Sequence, residues 1–167
     1  IATLGRSNAP LHAAIPRRRR SMASGNARPK PTRTFAQSGV IACRNKSGKL
    51  RILLITSRRS KRWVIPKGMV AKDTTADESA AKEAWEEAGA RGDVSPVALG
   101  AYTYEKWGGV CHVEVFSMNV EELADTWPED HFRTREWVDP RTAIKRVREP
   151  ELRDIIAGIV TSHEAKT

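Results

Sequence analysis

Three glutamates, Glu83, Glu86 and Glu87, have the residue type and the spacing best suited to chemistry in this sequence. Because they are spaced i, i+3 and i+4, a helix would project all three carboxylates from one face. Like charges placed so closely repel each other unless water solvates them or a divalent cation binds among them. Carboxylate oxygens are hard ligands that suit Mg²⁺ or Mn²⁺. The pattern therefore indicates either a solvated acidic surface or a divalent metal site.

The segment that carries these glutamates has the composition of a helix and contains neither glycine nor proline. Thr75 followed by Glu78 fits a capping box, in which the threonine hydroxyl and the glutamate carboxylate each accept a backbone amide. Gly89 is a typical C-terminal stop. We therefore predict a helix over residues 76–88.

Short apolar runs on both sides of this helix predict strands. A break at Pro66, Lys67 and Gly68 precedes the helix, and Gly108 and Gly109 indicate a hairpin turn after it. We predict strands at 40–43, 50–55, 97–107, 110–120 and 135–138, and further helices at 140–147 and 149–160. Strands and helices mixed in this order predict an α/β fold with a mixed sheet covered by helices.

Residues 68–90 resemble the Nudix box, in which a glycine precedes, at a fixed distance, a helix ending in Arg-Glu, a hydrophobic residue, any residue, Glu-Glu, any residue and Gly. The spacing agrees without insertion over all of residues 68–90. Three positions depart from the pattern: Thr74 replaces a glutamate, Lys82 replaces the arginine, and Ala84 is smaller than the usual aliphatic residue. The positions that correspond to the box, these three included, are Gly68, Thr74, Lys82, Glu83, Ala84, Trp85, Glu86, Glu87, Ala88, Gly89 and Ala90. The resemblance implies the Nudix fold, a mixed β-sheet sandwiched between helices.

The resemblance also implies roles for individual residues. Glu83 and Glu87 would bind Mg²⁺, with Mn²⁺ as an alternative, and the backbone carbonyl of Lys67 would add a ligand. Glu86 would bind the metal or accept a proton, which makes it the expected catalytic residue. In the family the arginine of the box orients a neighbouring glutamate, and Lys82 keeps its charge but lacks the planar two-pronged geometry.

Two further segments, 62–68 and 134–145, resemble the subgroup that cleaves diphosphoinositol polyphosphates and diadenosine polyphosphates. A small anionic phosphorylated substrate of that kind needs cations and close backbone approach, for which we expect Arg62, Lys67, Gly68 and Arg135. The sequence thus predicts a Mg²⁺-dependent hydrolase that cleaves a pyrophosphate bond. Three alternatives stay open: an RNA 5′-pyrophosphohydrolase, an inactive Nudix-fold binding protein, and a domain with an acidic surface helix and no catalytic centre.

The net charge of +9 is concentrated near the N-terminus. Residues 1–34 hold eight basic residues and no acidic one, which leaves 21 basic and 20 acidic residues from Phe35 onward. We expect a disordered Arg/Pro-rich tail at 1–34 and the Nudix domain at 35–163. Because Met22 follows an arginine run, residues 1–21 either belong to the natural chain or precede it. An organelle transit peptide is the alternative for this basic segment, whose charge would also attract RNA.

The remaining composition concerns location and partners. Cys43 and Cys111 lie far apart in apolar contexts, which favours reduced core thiols over a disulfide or a metal site and indicates a cytoplasmic location. No apolar run approaches the roughly 20 residues that span a bilayer, so we expect no membrane span. We see no pattern that indicates an oligomer.

Overall fold

The computed structural model describes residues 32–165. Most of the predicted N-terminal tail, residues 1–31, lies outside the described residues. Within 32–165, no helix has the length and the apolar character needed to cross a membrane. The elements, in chain order, are β1 (Arg33–Lys46), β2 (Lys49–Thr56), β3 (Trp63–Val64), β4 (Lys67–Met69), α1 (Ala76–Ala88), β5 (Ala90–Val94), β6 (Gly100–Lys106), β7 (Gly109–Leu123), β8 (Arg135–Val138), α2 (Pro140–Arg146) and α3 (Pro150–Glu164).

The strands form a mixed sheet with the order β3-β2-β1-β7-β5 along its main path. In addition, β4 pairs with β1, β6 with β7 and β8 with β2. The central pair, β1 and β7, is parallel, with Ile41 opposite Ser117, whereas the other pairs are antiparallel. The predicted α/β class with a mixed sheet is confirmed.

Alternating residues of the central strands enter two different cores, one on each face of the sheet. On one face, Leu53 and Ile55 pack in the cluster that includes Ala80, Ala84 and Ala88 of α1. The small alanine side chains leave room for the helix backbone to lie close to the sheet. On the other face, residues such as Ile52 and Leu54 pack with Leu152 and Ile156 of α3. The sheet therefore lies between helices, as predicted.

Helix α1 begins and ends at the predicted residues. Glu78 N–H donates to the Thr75 hydroxyl at 3.4 Å, and Thr75 N–H donates to the Glu78 carboxylate at 3.0 Å, which completes the capping box. Gly89 adopts the left-handed conformation with φ of 65° and donates its N–H to carbonyls of the last turn. Both ends of the acidic helix are therefore defined by local sequence.

Other predicted boundaries were wrong. The turn between β6 and β7 consists of Trp107 and Gly108, both with positive φ, and Gly109 already belongs to β7. A Cβ on Gly109 would lie 2.3 Å from the carbonyl oxygen of Arg33, so the absence of a side chain at Gly109 allows β7 to lie close to β1. The break predicted at 66–68 overlaps β4, and β5 was missed because its sequence, ARGDV, has little apolar character. The strands at 40–43 and 110–120 extend further, as β1 and β7.

Candidate active site

A cleft of about 960 Å³ lies beside α1 and brings together distant parts of the chain. Its lining includes five of the predicted site residues: Arg62, Lys67, Gly68, Glu83 and Glu87. Loop 57–62 and loop 129–133 supply much of the remaining wall. The side chains expected to act together therefore share one cleft, with two exceptions, Glu86 and Arg135.

Glu87 is a buried carboxylate, with 8% of its surface exposed. Its Oε2 accepts the backbone N–H of Lys67 at 2.9 Å, and its Oε1 accepts from Nη2 of Arg133. Burial raises the pKa of Glu87 to about 7, while the charge of Arg133 and the Lys67 N–H act in the opposite direction. The carboxylate is thus held in one orientation between β4 and Arg133.

Arg133 is buried as well, with 9% of its surface exposed, and each branch of its guanidinium has a partner. Besides Glu87, Nη1 donates to the carbonyl oxygen of Thr56 at 3.0 Å, and Nε donates to Glu129. Thr134 N–H donates to the Thr56 hydroxyl at 2.9 Å, which anchors the same loop to the end of β2. Arg133 therefore links α1, β2 and loop 129–133 at the floor of the cleft.

Glu83 lies against the backbone of Gly68. A Cβ on Gly68 would come within 2.1 Å of the Glu83 carboxyl carbon, so only glycine leaves room for this carboxylate. Strand pairing of Gly68 with Ser38 keeps the glycine at that place. Burial raises the pKa of Glu83, and the charge of nearby Glu86 raises it further. Glu83 therefore lines the cleft at a place where an added cation would stabilise its charge.

Glu86, the predicted catalytic residue, has a different environment. Its Oε2 accepts from Lys82 Nζ at 2.7 Å, in an exposed i,i+4 pair on the outer part of α1. Glu86 is absent from the lining of the cleft. Lys82, which stands where the box has arginine, thus binds Glu86, whereas Glu87 receives its guanidinium from Arg133, 46 residues further along the chain.

The predicted substrate-binding cations separate into two groups. Arg62 and Lys67 line the cleft, where Arg62 lies 3.8 Å from Glu149, and the Lys67 ammonium lies 4.9 Å from the centre of the Tyr104 ring. Burial lowers the pKa of Lys67. Arg135, by contrast, is directed to the C-terminal end of α1.

Arg135 donates to the carbonyl oxygens of Ala88 and Ala124, both at 2.7 Å, and its guanidinium lies 3.9 Å from the centre of the Trp127 ring. It is absent from the lining of the cleft. These contacts satisfy one carbonyl at the end of α1 and hold the segment that follows β7 against it. The structure therefore gives Arg135 a place in the scaffold, away from the cleft where substrate binding was expected.

The model of the NUDIX domain family matches residues 34–158 of the chain. The chain belongs to the Nudix family. It is 33% identical to Nudix hydrolase 16, mitochondrial, of Arabidopsis thaliana, over 73% of this chain and 73% of that protein. It is 29% identical to diphosphoinositol polyphosphate phosphohydrolase 3-alpha of Mus musculus, over 71% of this chain and 76% of that protein. Two further plant relatives are matched over 54% and 53% of their own length.

Solved structures show the same fold. A crystal structure of a C. elegans Ap4A hydrolase binary complex covers 78% of this chain and 98% of its own, with a TM-score of 0.65 and 20% identity. The Nudix fold predicted from the box is confirmed, and so is the hydrolase family that it implied.

A divalent cation, which Nudix hydrolases generally use, fits part of this donor set. Within residues 32–165, no group of three or more Asp, Glu, His or Cys side chains converges in a metal-binding arrangement. Two carboxylates, Glu83 and Glu87, nevertheless line one cleft, and burial raises the pKa of each. Both are hard oxygen donors in a place where added positive charge would be stabilising. Glu86 would have to leave Lys82 to join them.

Thr74, the other main departure from the Nudix box, has a local structural role. Its hydroxyl donates to the Ala71 carbonyl oxygen at 2.9 Å and lies 2.7 Å from the hydroxyl of Ser79. Ala71 N–H donates to the same Ser79 hydroxyl at 3.1 Å. Thr74 thus stabilises the turn that leads into α1, in which Thr75 is the N-cap.

Several residues of the cleft were not predicted from the sequence. Gln37 on β1 accepts a hydrogen bond from the Tyr104 hydroxyl at 2.7 Å, and both residues line the cleft. Lys106, Trp107 and Arg148 come from the β6–β7 turn and the segment before α3. Their spacing along the chain carries no signal, because the sheet pairing alone brings these segments to the box. Clusters of basic and aromatic residues at strand ends are the one signal that could have indicated them.

Proposed function

We propose that this Nudix hydrolase cleaves a pyrophosphate bond, with Mg²⁺ as cofactor, in a nucleoside diphosphate-linked or polyphosphorylated compound. The observation that carries the proposal is that one cleft is lined both by two carboxylates, Glu83 and Glu87, and by two cations, Arg62 and Lys67. Carboxylates would hold the metal ion, and the cations would attract the anionic phosphates. This division of charge is what a metal-dependent phosphate site needs.

The roles of the side chains follow from their positions. A divalent ion, when bound, neutralises phosphate charge and makes a water molecule more acidic. Glu83 and Glu87 would hold it, with the Lys67 backbone carbonyl as the proposed third donor. Lys67 and Arg62, which line the same cleft, would orient the phosphates. Glu86 is our proposal for the proton acceptor, and its carboxylate would have to turn from Lys82 towards the cleft to act.

Two classes of substrate are supported by the relatives. The mouse relative is named as a diphosphoinositol polyphosphate phosphohydrolase, and the structural neighbour from C. elegans is an Ap4A hydrolase. Both kinds of compound carry a pyrophosphate bond within a dense array of negative charge. A cleft wall with Arg58, Arg59, Arg62 and Lys67 is suited to such charge.

The proposal is tested by measuring product release from a diadenosine polyphosphate and a diphosphoinositol polyphosphate, with and without Mg²⁺. We expect Mg²⁺-dependent turnover of at least one compound by the native chain. Glu86→Gln, which keeps the shape of the side chain, should lower kcat by about 100-fold or more if Glu86 accepts a proton. Glu114→Gln is the matched control, because Glu114 is an exposed glutamate of β7 outside the cleft.

Turnover that persists unchanged in Glu86→Gln would remove Glu86 from the proposal. No turnover of any compound, together with binding of the same compounds, would favour the inactive Nudix-fold binding protein instead.

The RNA 5′-pyrophosphohydrolase is the second candidate function, and the eight basic residues in 1–34 favour it. Its test is a chain without residues 1–31, because β1 starts at Arg33 and a longer deletion would cut into the sheet. Lost RNA binding together with unchanged turnover of small substrates would support the RNA role. Equal RNA binding by both chains would contradict it.

We further propose a cytoplasmic location. The two cysteines support it: both are free in the described part of the chain, where Cys111 is buried and Cys43 partly so. The plant relative is named as a mitochondrial protein, so the competing location is an organelle. Imaging of the full chain fused at its C-terminus to a fluorescent protein separates the two, and a purely organellar signal would overturn the proposal.

A further inference from the structure

Ser38 of β1 carries a buried hydroxyl that has no hydrogen-bond partner within residues 32–165. Its relative exposure is 0%, so bulk solvent does not replace the missing partner. Burying a hydroxyl without a hydrogen bond destabilises the fold, and an alanine would occupy the same place without that cost. Native proteins contain few such groups, and each indicates a use other than stability.

The strand register shows which way the Ser38 side chain points. Ser38 pairs with Gly68 of β4, and residues directly opposite each other in an antiparallel pair direct their side chains to the same face, with Cβ positions about 5 Å apart. A Cβ on Gly68 would point straight at the Glu83 carboxyl group. Val40, two residues further along β1, packs with alanines of α1, and β1 pairs with β7 without a bulge over 33–43. Ser38 therefore faces α1 where the Glu83 carboxylate lies.

Glu83 lacks the hydrogen-bond donors that Glu87 has. Glu87 accepts one backbone N–H and one guanidinium N–H, whereas the Glu83 carboxylate accepts no hydrogen bond and forms no ion pair within residues 32–165. A donor without an acceptor, at Ser38, thus lies beside an acceptor without a donor. On the other side of Ser38, Glu114 of β7 is exposed, so water solvates that carboxylate. Glu83 is therefore the carboxylate that a hydrogen bond from Ser38 would affect most.

We propose that Ser38 is a positioning residue for Glu83: its hydroxyl donates to the carboxylate when a divalent cation is bound there, and so holds Glu83 in the orientation that binds the ion. The inference rests on the proposed function and deepens it, because it adds a residue outside the Nudix box to the support of the metal site. Ser38 does not line the cleft, so it acts only through Glu83. Hydrogen bonds to a ligating carboxylate commonly set its orientation and its affinity for the metal.

The test is calorimetric titration of the full chain with MgCl₂ in the absence of substrate. Ser38→Ala should weaken Mg²⁺ binding by about tenfold or more, the usual effect of removing a group that orients a metal ligand. Ser38→Thr keeps the hydroxyl and should bind Mg²⁺ within about threefold of the native chain. Ser117→Ala is the matched control and should leave the affinity unchanged, because Ser117 is a half-buried serine of β7 whose neighbour Ile41 packs in the core on the other face of the sheet.

Thermal midpoints measured in EDTA separate this role from a structural one. Ser38→Ala removes a buried hydroxyl that has no partner, so its midpoint should equal or exceed that of the native chain. Ser38→Thr adds a methyl group where no surface is exposed and should lower the midpoint. The variant that loses Mg²⁺ affinity should therefore be the more stable one. A lower midpoint in Ser38→Ala, together with lost affinity in both variants, would show a structural role and overturn the proposal.

The binding measurement also keeps this inference distinct from the proposed hydrolysis, because it needs no turnover. If Mg²⁺ binding depends on Ser38 but no pyrophosphate compound is hydrolysed, the role of Ser38 stands and the hydrolytic function fails. If the native chain hydrolyses a compound but Ser38→Ala binds Mg²⁺ as tightly as the native chain does, the role of Ser38 fails alone. No binding of Mg²⁺ by the native chain would overturn both.

Discussion

The guanidinium of Arg133 binds the carboxylate of Glu87, with Nη2 as the donor and Oε1 as the acceptor. Both groups are shielded from solvent, and the two residues come from a loop and a helix 46 positions apart. Burying an ion pair costs desolvation free energy. Removing only one partner destabilises the fold much more, because the other charge then stays buried without a counterion. The pair therefore controls both the stability of the cleft floor and the orientation of Glu87.

Arg133→Met should lower the free energy of unfolding by about 3 kcal/mol or more, because it strands the buried Glu87 and leaves the Thr56 carbonyl without its donor. Arg133→Lys keeps the charge but cannot make all three contacts, so it should lower the free energy of unfolding by less than Arg133→Met does. Urea denaturation measures both. Arg58→Met is the control, because Arg58 is exposed and its pair with Glu129 is long, at 3.9 Å, and should cost less than about 1 kcal/mol.

A double-mutant cycle of Arg133→Met with Glu87→Gln isolates the pair itself. Residues in direct contact within one network should show a coupling energy of about 0.5–3 kcal/mol. A coupling near zero would mean that Arg133 stabilises the fold through Thr56 and Glu129 alone.

Gly68→Ala should move the Glu83 carboxylate with little effect on the fold. The added methyl group would come within 2.1–2.4 Å of atoms at the end of a flexible side chain, which can swing aside. We expect a loss of stability below about 1 kcal/mol and a fall in Mg²⁺-dependent activity of about 100-fold, since small displacements of reacting groups have effects of that size. Steady-state kinetics and urea denaturation on the same samples test this.

Gly158→Ala is the matched control for that experiment. A Cβ on Gly158 meets nothing within 4 Å, and the residue lies inside α3. Alanine should therefore raise stability by about 1 kcal/mol and leave activity unchanged. Native activity in Gly68→Ala would contradict the role given to Glu83.

Local sequence signals predicted α1 from end to end, because its cap at Thr75 and its stop at Gly89 depend on neighbouring residues alone. The resemblance to the Nudix box implied that Glu83 and Glu87 act together with the segment at Lys67 and Gly68, and all four residues line one cleft. Arg133 could not be assigned to Glu87 in this way, since their contact depends on how β8 pairs with β2. Arg135 was predicted as a substrate cation, but charge alone does not distinguish a ligand contact from the hydrogen bonds that it makes to the Ala88 and Ala124 carbonyls.

The turn at Trp107 illustrates a second limit of sequence patterns. Gly108 and Gly109 were predicted to form the hairpin turn. Because Lys106 pairs with Gly109, the turn instead consists of Trp107 and Gly108, one residue earlier. Gly109 is needed for close approach to Arg33, a contact between strands far apart in the sequence. The positive φ of Trp107 follows from that register and has no local signature, because tryptophan is not a turn residue.

Mg²⁺ should raise the thermal midpoint of the native chain, because under the proposed function it would bind the folded carboxylate cleft and not the unfolded chain. At a concentration tenfold above Kd the gain is about 1.4 kcal/mol, which corresponds to roughly 4 °C for a domain of this size. Calorimetry with MgCl₂ and then with excess EDTA measures the shift and its reversal. Glu83→Gln should remove most of it, and Glu114→Gln should retain it. An equal shift in both variants would place the ion elsewhere.

Asp139 should make the stability of the fold depend on pH in the acid range. It is the N-cap of α2: Oδ1 accepts the Thr142 N–H at 3.0 Å and Oδ2 accepts the Thr142 hydroxyl at 2.6 Å. The Thr142 hydroxyl, and then its N–H, lower the pKa of Asp139 below its usual 3.8. Because the folded-state pKa is the lower one, the stabilisation is present above 3.8 and is lost as the pH falls through the folded-state value.

Asp139→Ala should therefore lower the free energy of unfolding by about 1 kcal/mol at pH 7, and this difference from the native chain should shrink as the pH falls below 4. Asp139→Asn still accepts the Thr142 N–H but carries no charge, so its difference from Asp139→Ala should not vary with pH. Urea denaturation at intervals between pH 7 and pH 3 gives all three curves. A native-minus-Ala difference that is the same at both ends would show that the ionised carboxylate contributes nothing beyond its role as an acceptor.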